Sequence, residues 1–143
     1  MYLLDTNVVS ELRRGRRADP RVAAWAAAMP GASAFLSVVT IFEIERGILL
    51  VERRDPDQAG LLRRWFETRI LSDFEGRILP IDTAVARRCA ALHIPDPLPD
   101  RDALIAATAL VHGMIVATRD VGDFERTGVG LMNPWTAGQK DKG

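Results

Sequence analysis

The sequence predicts an α/β domain, a three-layer sandwich in which a five-stranded parallel sheet lies between helices. Two observations carry this. Short, largely apolar runs at 2–4, 34–38, 77–81, 114–117 and 129–132 alternate with segments of helical periodicity, the pattern of a parallel sheet covered on both faces. The first run, Tyr2-Leu3-Leu4, is continuously apolar and stops at Asp5, as a strand buried on both faces does. That places Asp5 at the carboxyl end of a strand, where open α/β sheets bind ligands.

Taken in order, Asn7 is expected to cap a first helix carrying Val8, Val9 and Leu12. Arg13-Arg14-Gly15-Arg16-Arg17 reads as a basic loop. Asp19-Pro20 opens a helix to about Met29, which Pro30-Gly31 ends. After the strand at 34–38, a helix runs from Thr40 to about Arg53, with Ile41, Ile44, Ile48 and Val51 on one face. Asp55-Pro56 breaks it and starts another, reaching about Leu71. The third strand follows Gly76. Asp82 or Thr83 caps a helix to about Leu92, and Pro95, Pro97 and Pro99 then hold an extended loop. The helix from Arg101 to His112, with Asp100 as its expected cap, is Ala-rich and apolar on most sides, so it should lie deep. Gly113 ends it. A fourth strand, a short helix at 120–126 and a fifth strand complete the domain at about residue 137. The closing residues 138–143 have nothing to bury and are expected to be disordered.

At 143 residues the chain fits one domain with a substantial core. With 19 basic against 19 acidic residues, bulk charge announces no nucleic-acid partner, so any basic surface must be local. The N-terminus lacks a basic region followed by a long apolar segment, and no run is long enough to span a bilayer; a cytoplasmic protein is expected. The single cysteine, Cys89, sits in an apolar helical pattern as a small hydrophobe. This fits a reducing compartment.

Acidic residues stand out at four places, the last of them occupied by two. Asp5 could simply end its strand. Glu43 falls in Thr40-Ile-Phe-Glu43, the spacing of a capping box, and a capping role is compatible with facing the sheet edge. Asp102 heads the apolar face formed by Ile105, Ala106 and Ala109, where a carboxylate needs a partner or a cation. Asp120 and Asp123 follow the fourth strand, and one of them could cap the short helix. Gathered in one cleft, such acids would repel each other unless protonated or offset by a divalent ion. Mg²⁺ or Mn²⁺ suits an all-oxygen site. His93 and His112 lie near helix ends, and without a His/Cys cluster zinc is poorly supported.

Leu3-Leu4-Asp5-Thr6-Asn7, Ser37-Val-Val-Thr40-Ile-Phe-Glu43 with Gly47, Asp102-Ala-Leu-Ile-Ala-Ala-Thr108-Ala, Val116-Ala-Thr118-Arg-Asp120-Val-Gly-Asp123-Phe124 and the closing Asn133-Pro134-Trp135 together resemble the PIN-domain ribonucleases, specifically the VapC/FitB-type toxins of bacterial toxin–antitoxin pairs. The resemblance implies a PIN-like sandwich whose Asp5, Glu43, Asp102 and Asp120 hold Mg²⁺ or Mn²⁺. Asp123 competes with Asp120 for a place beside the metal, because many relatives carry Asn at the position of Asp120. Thr6, Asn7 and Thr118 match residues that steady the carboxylates. The implied activity is endonucleolytic RNA cleavage. The implied partners are a small antitoxin protein and a second copy of the chain. Arg13, Arg14, Arg16, Arg17, Arg46 and Arg119 are candidates to hold the RNA backbone, against the alternative of ordinary solvated charges. Trp65, Phe66, Leu61 and Leu62 could form a self-association or antitoxin surface, or close the core.

Two other classes compete. One is a non-enzymatic binding module whose acids hold a cation for stability. The other is an aspartate-based phosphatase or receiver-like domain, which is disfavoured. Asn7 stands where such phosphatases want a second Asp, and the only lysines are Lys140 and Lys142.

Overall fold

The computed structural model describes residues 1–138. Five parallel strands form one sheet: β1 (Tyr2–Leu4), β2 (Ala34–Ser37), β3 (Ile78–Leu79), β4 (Ile115–Ala117) and β5 (Leu131–Met132), in the order β3-β2-β1-β4-β5. The helices are α1 (Thr6–Arg13), α2 (Pro20–Ala28), α3 (Val38–Glu52), α4 (Pro56–Trp65), α5 (Thr83–Leu92), α6 (Asp100–His112) and α7 (Val121–Phe124). This is the expected architecture. β1 matches its apolar run, and the other four strands are shorter than theirs, because only the stretch that finds a partner backbone extends the ladder. The expected disordered tail at 138–143 lies, beyond Gly138, outside the described residues.

β1 is central, and successive side chains point to opposite faces. Leu4 packs on one side with Val8, Val9, Leu36, Ile44, Ile48, Phe66 and Ile70. Leu3 packs on the other with Ile105, Ala106, Ala109, Val116 and Phe124. Burying either leucine fully is worth about 1.5–3 kcal/mol. A satellite cluster of Val85, Cys89, Ala103 and Ala107 joins α5 to α6, where small side chains let the two helices approach. Cys89 is buried, as expected, and burial pushes its thiol pKa up, with the Asp100 charge adding to the rise. α6 buries seven residues from Asp102 to Thr108 and Ala109, and Gly113 closes it in the left-handed conformation at φ 67°, a geometry glycine adopts without steric cost.

Several helix starts differ from expectation. Asp5, not Asn7, caps α1, its carboxylate accepting from the Thr6 amide. Ser37 caps α3 through the Val39 amide, so the helix begins two residues before Thr40. No capping box forms between Thr40 and Glu43. Asp100 does not cap α6; it is the first helical residue, after Pro99, with its side chain beside His93 at 3.4 Å. Asp19, Asp55 and Asp82 cap α2, α4 and α5. Beyond Trp65, α4 continues as a π-helical stretch over Phe66–Ser72. That stretch turns Phe66 and Ile70 into the core, while Leu61 is left exposed and Leu62 and Trp65 pack partly against the core.

Candidate active site

The strand order reverses between β1 and β4, and the crevice beyond the carboxyl ends at such a switch point is the usual ligand site of an open α/β sheet. Asp5 stands there. Its amide still belongs to the ladder, donating to the Ala117 carbonyl at 2.9 Å. Its side chain is buried. Thr118, the first residue after β4 and fully buried, donates its hydroxyl to Asp5 Oδ2 at 2.7 Å. The same hydroxyl accepts from the Asp120 amide at 3.0 Å. The Asn7 amide nitrogen lies 3.2 Å from Asp120 Oδ2 and 3.4 Å from Thr118 Oγ1. Asp120 is thus tied to the Asp5 side of the crevice.

Glu43 and Asp102 arrive from elsewhere. Because α3 starts at Val38, Glu43 falls in its second turn and faces α1, where the Thr6 hydroxyl donates to Oε1 at 2.7 Å. Thr6 also shares a 3.1 Å hydrogen bond with the buried Thr40 hydroxyl. Asp102 lies in the first turn of α6 and is buried. What gathers these acids is a residue the sequence reading passed over. The Arg101 guanidinium donates to Asp5 Oδ1, to Glu43 Oε2 at 2.7 Å and to Asp102 Oδ1 at 3.0 Å. A signal for it was present: a cation in the first turn of a helix opposes the dipole and needs acidic compensation.

The electrostatics follow from these contacts. Burial pushes the Glu43 carboxyl up, but the hydrogen bonds from Arg101 and Thr6 and the charges of Arg101 and Arg46 outweigh it, so its pKa is lowered. For Asp102 burial dominates over the Arg101 contacts, the charges of Asp123 and Asp5 add to it, and the carboxyl is raised. Asp123 therefore acts on the site through Asp102, while Asp120 is held through Asn7 and Thr118. For Arg101, burial works against the charge but the bonds to Glu43 and Asp5 prevail, and its pKa is raised.

A cleft of about 570 Å³ opens over the site, lined by Thr6, Glu43, Arg101, Asp120 and, on its flanks, Arg13, Arg14, Arg119 and Trp135. Arg119 lies over the Trp135 ring at 5.3 Å, Arg13 over Trp65 at 5.8 Å, and Arg14 pairs with Glu11 at 3.0 Å. Arg46 differs: it covers the Phe42 ring and lines a separate apolar groove with Ile41 and Leu49. Arg16 and Arg17 form an exposed turn outside the cleft lining. His93 accepts from the Leu98 amide at 3.1 Å, bracing the Pro-rich loop.

A hard divalent ion suits this donor set, since the carboxylates of three chain-distant segments already converge on one positive group. That group is Arg101, and among the described residues no three His, Cys, Asp or Glu side chains are arranged as a cage for a metal. The chemistry fits; the place is taken by a guanidinium.

Comparison with known proteins gives a consistent picture. A family model described as PIN domain matches residues 2–130. The chain is 38% identical over 141 residues to a protein named Toxin FitB from Neisseria gonorrhoeae, covering 94% of this chain and 99% of that one. It is 36% identical over 144 residues to VapC ribonuclease Y4jK from Sinorhizobium fredii, covering 94% and 98%. The crystal structure of FitAcB from Neisseria gonorrhoeae superposes with a TM-score of 0.86 at 37% identity, covering 94% of this chain and 99% of that one.

Proposed function

The chain belongs to the PIN-domain family, and from that premise we propose that it is an Mg²⁺- or Mn²⁺-dependent endoribonuclease, the toxin of a type II toxin–antitoxin pair. The observation that carries this reading is the convergence of Asp5, Glu43 and Asp102 at the carboxyl edge of the sheet, under an arginine-flanked cleft. Names borne by similar proteins support it, one a ribonuclease and one a toxin.

Asp5 and Asp102 would hold the ion, with Glu43 and Asp120 completing the shell and Asp123 adding charge beside Asp102. When bound, the ion lowers the pKa of a water and stabilises charge on phosphate oxygens. The chain's own groups do the rest. Thr118 and Thr6 fix the carboxylate orientations. Glu43, with its pKa held low, stays ionised. Arg13, Arg14 and Arg119 present positive charge along the cleft for the RNA backbone, contacts that give affinity without reading sequence. Arg46 is the weaker candidate, since it lines a different groove.

An RNA-cutting toxin needs a protein that silences it, and we assign the partner as a small antitoxin. The exposed Phe42, Leu49, Leu50 and Leu61 and the groove of about 470 Å³ between α1 and the π-helical stretch, lined by Val9, Leu12, Trp65 and Phe74, are surfaces for that partner and for a second copy. The binding-module reading draws on one observation, the pairing of all three acids with Arg101, which offsets part of their charge. Antitoxin-free protein incubated with RNA and Mn²⁺ separates the two. Cleavage abolished by EDTA and restored by excess Mn²⁺ is expected, and its absence would favour the module.

A further inference from the structure

Each of the three acids gives one oxygen to Arg101. Asp5 Oδ1 takes the guanidinium and the Thr6 amide, and Oδ2 takes Thr118. Glu43 Oε2 takes Arg101 and Oε1 takes Thr6. Asp102 Oδ1 takes Arg101. A Mg²⁺ ion sits about 2.0–2.1 Å from its oxygens and demands near-octahedral geometry. Asp5 Oδ1, Glu43 Oε2 and Asp102 Oδ1 all face the guanidinium, so an ion bound by these three oxygens would stand where the guanidinium stands, and two cations in one pocket repel. Three carboxylates against one guanidinium nevertheless leave the cluster net negative, so it retains an attraction for a further positive charge. The side chain also has somewhere to go. Arg101 is a third exposed and lines the open cleft rather than the closed core.

We propose that Arg101 is a resident counter-cation that holds Asp5, Glu43 and Asp102 together before the ion arrives and must leave them for a divalent ion to bind. Docking of Arg101 and occupation by the ion are then mutually exclusive states of one site. In the ion-free protein the guanidinium suppresses the repulsion among the acids and keeps them pointed at one another. The benefit is a site assembled in advance; the consequence is weakened ion affinity, because the arginine contacts must be given up first. The inference rests on the metal-dependent reading above.

Mn²⁺ binding measured by calorimetry on wild type and Arg101→Met gives the first test. One charge-assisted bond lost without replacement corresponds to roughly tenfold in an equilibrium constant, so the variant is expected to bind Mn²⁺ at least tenfold more tightly. Arg101→Lys, which keeps the charge but not the three-way fork, is expected to fall between. Equal or weaker affinity in Arg101→Met overturns the inference and leaves the metal reading standing. Absence of Mn²⁺ binding in both wild type and variant overturns the metal reading itself. The second test uses the wild-type chain and does not depend on a variant folding. The ¹⁵Nε–¹Hε resonance of Arg101, assigned in the wild-type chain by through-bond correlation from its backbone amide along the side chain, is followed while Mg²⁺ is added. Release of the guanidinium predicts that the resonance moves toward the position of a solvated arginine and its proton exchanges faster. A resonance that stays in place while Mg²⁺ binds shows simple charge repulsion without displacement, and the inference fails.

Discussion

Replacing Glu43 by Gln tests whether its charge, rather than its shape, holds the site together. The carboxylate accepts two short bonds, from Thr6 and from Arg101, both 2.7 Å. Gln can keep both partners. Its oxygen can face Arg101 Nε while its amide faces the Thr6 hydroxyl, which rotates to accept and donates to Thr40 instead. What is lost is the charge assistance. A hydrogen bond to a charged group contributes about 1.5–3 kcal/mol and a neutral one about 0.5–1.5. With the side chain partly open to solvent, the two bonds together predict a loss of about 1–2 kcal/mol at neutral pH. The pH dependence is the sharper readout. The folded pKa of Glu43 lies below its ordinary value of 4.5, so the folded state binds that proton less readily than the unfolded chain does. Its contribution is full above the unfolded value and is lost as pH falls through the folded one. Urea denaturation followed by circular dichroism, from about pH 7 to about pH 3, should show a gap between wild type and Glu43→Gln that is constant above about pH 5 and closes in acid. Cleavage should fall by roughly 10–100-fold or more. A stability gap independent of pH would refute the reasoning, because it would mean that packing, not charge, was removed.

Three further outcomes follow from the same contacts. Asp102→Asn should weaken Mn²⁺ binding in calorimetry, and unaltered affinity would remove Asp102 from the ligand set. Thr118→Val removes the hydroxyl between Asp5 and the Asp120 amide. In a fully buried position it should cost about 1–3 kcal/mol in urea denaturation, whereas an unchanged midpoint would show that Asp5 is held without it. Arg119→Ala should weaken RNA binding with little loss of stability and lower the slope of log affinity against log salt by about 0.7–1. Fluorescence anisotropy at several salt concentrations measures this, and an unchanged slope would mean that Arg119 touches no phosphate.

The fold was readable because its signals are local. Tyr2-Leu3-Leu4 ends at Asp5, Asp19-Pro20 and Asp55-Pro56 mark helix starts, and Gly113 marks a stop. The errors fell where two local signals compete for one duty. Asp5 and Asn7 both cap well, and the carboxylate nearer the end of β1 takes the role. Ser37 and Thr40 both cap well, and Ser37 takes it because β2 ends there. The π-helical stretch has no periodic signature in sequence, since it follows from fitting Phe66 and Ile70 into a core formed by distant elements. The acids were legible individually, from placement after strands and at the head of α6. Their common partner was not, because Arg101 looks like an ordinary surface residue until three segments up to 97 positions apart in number, from 5 to 102, are brought to it. Of the arginines singled out for RNA, Arg13, Arg14 and Arg119 share the cleft, whereas Arg46 points to another groove.

Diffraction from crystals soaked in MnCl₂, recorded at the manganese absorption edge, locates the ion and Arg101 in the same experiment. An anomalous peak is expected between the Asp5 and Asp102 carboxylates, within reach of Glu43, with the Arg101 guanidinium withdrawn into the cleft. Crystals saturated with Mn²⁺ that show no peak there, with Arg101 still bridging the three acids, would contradict it.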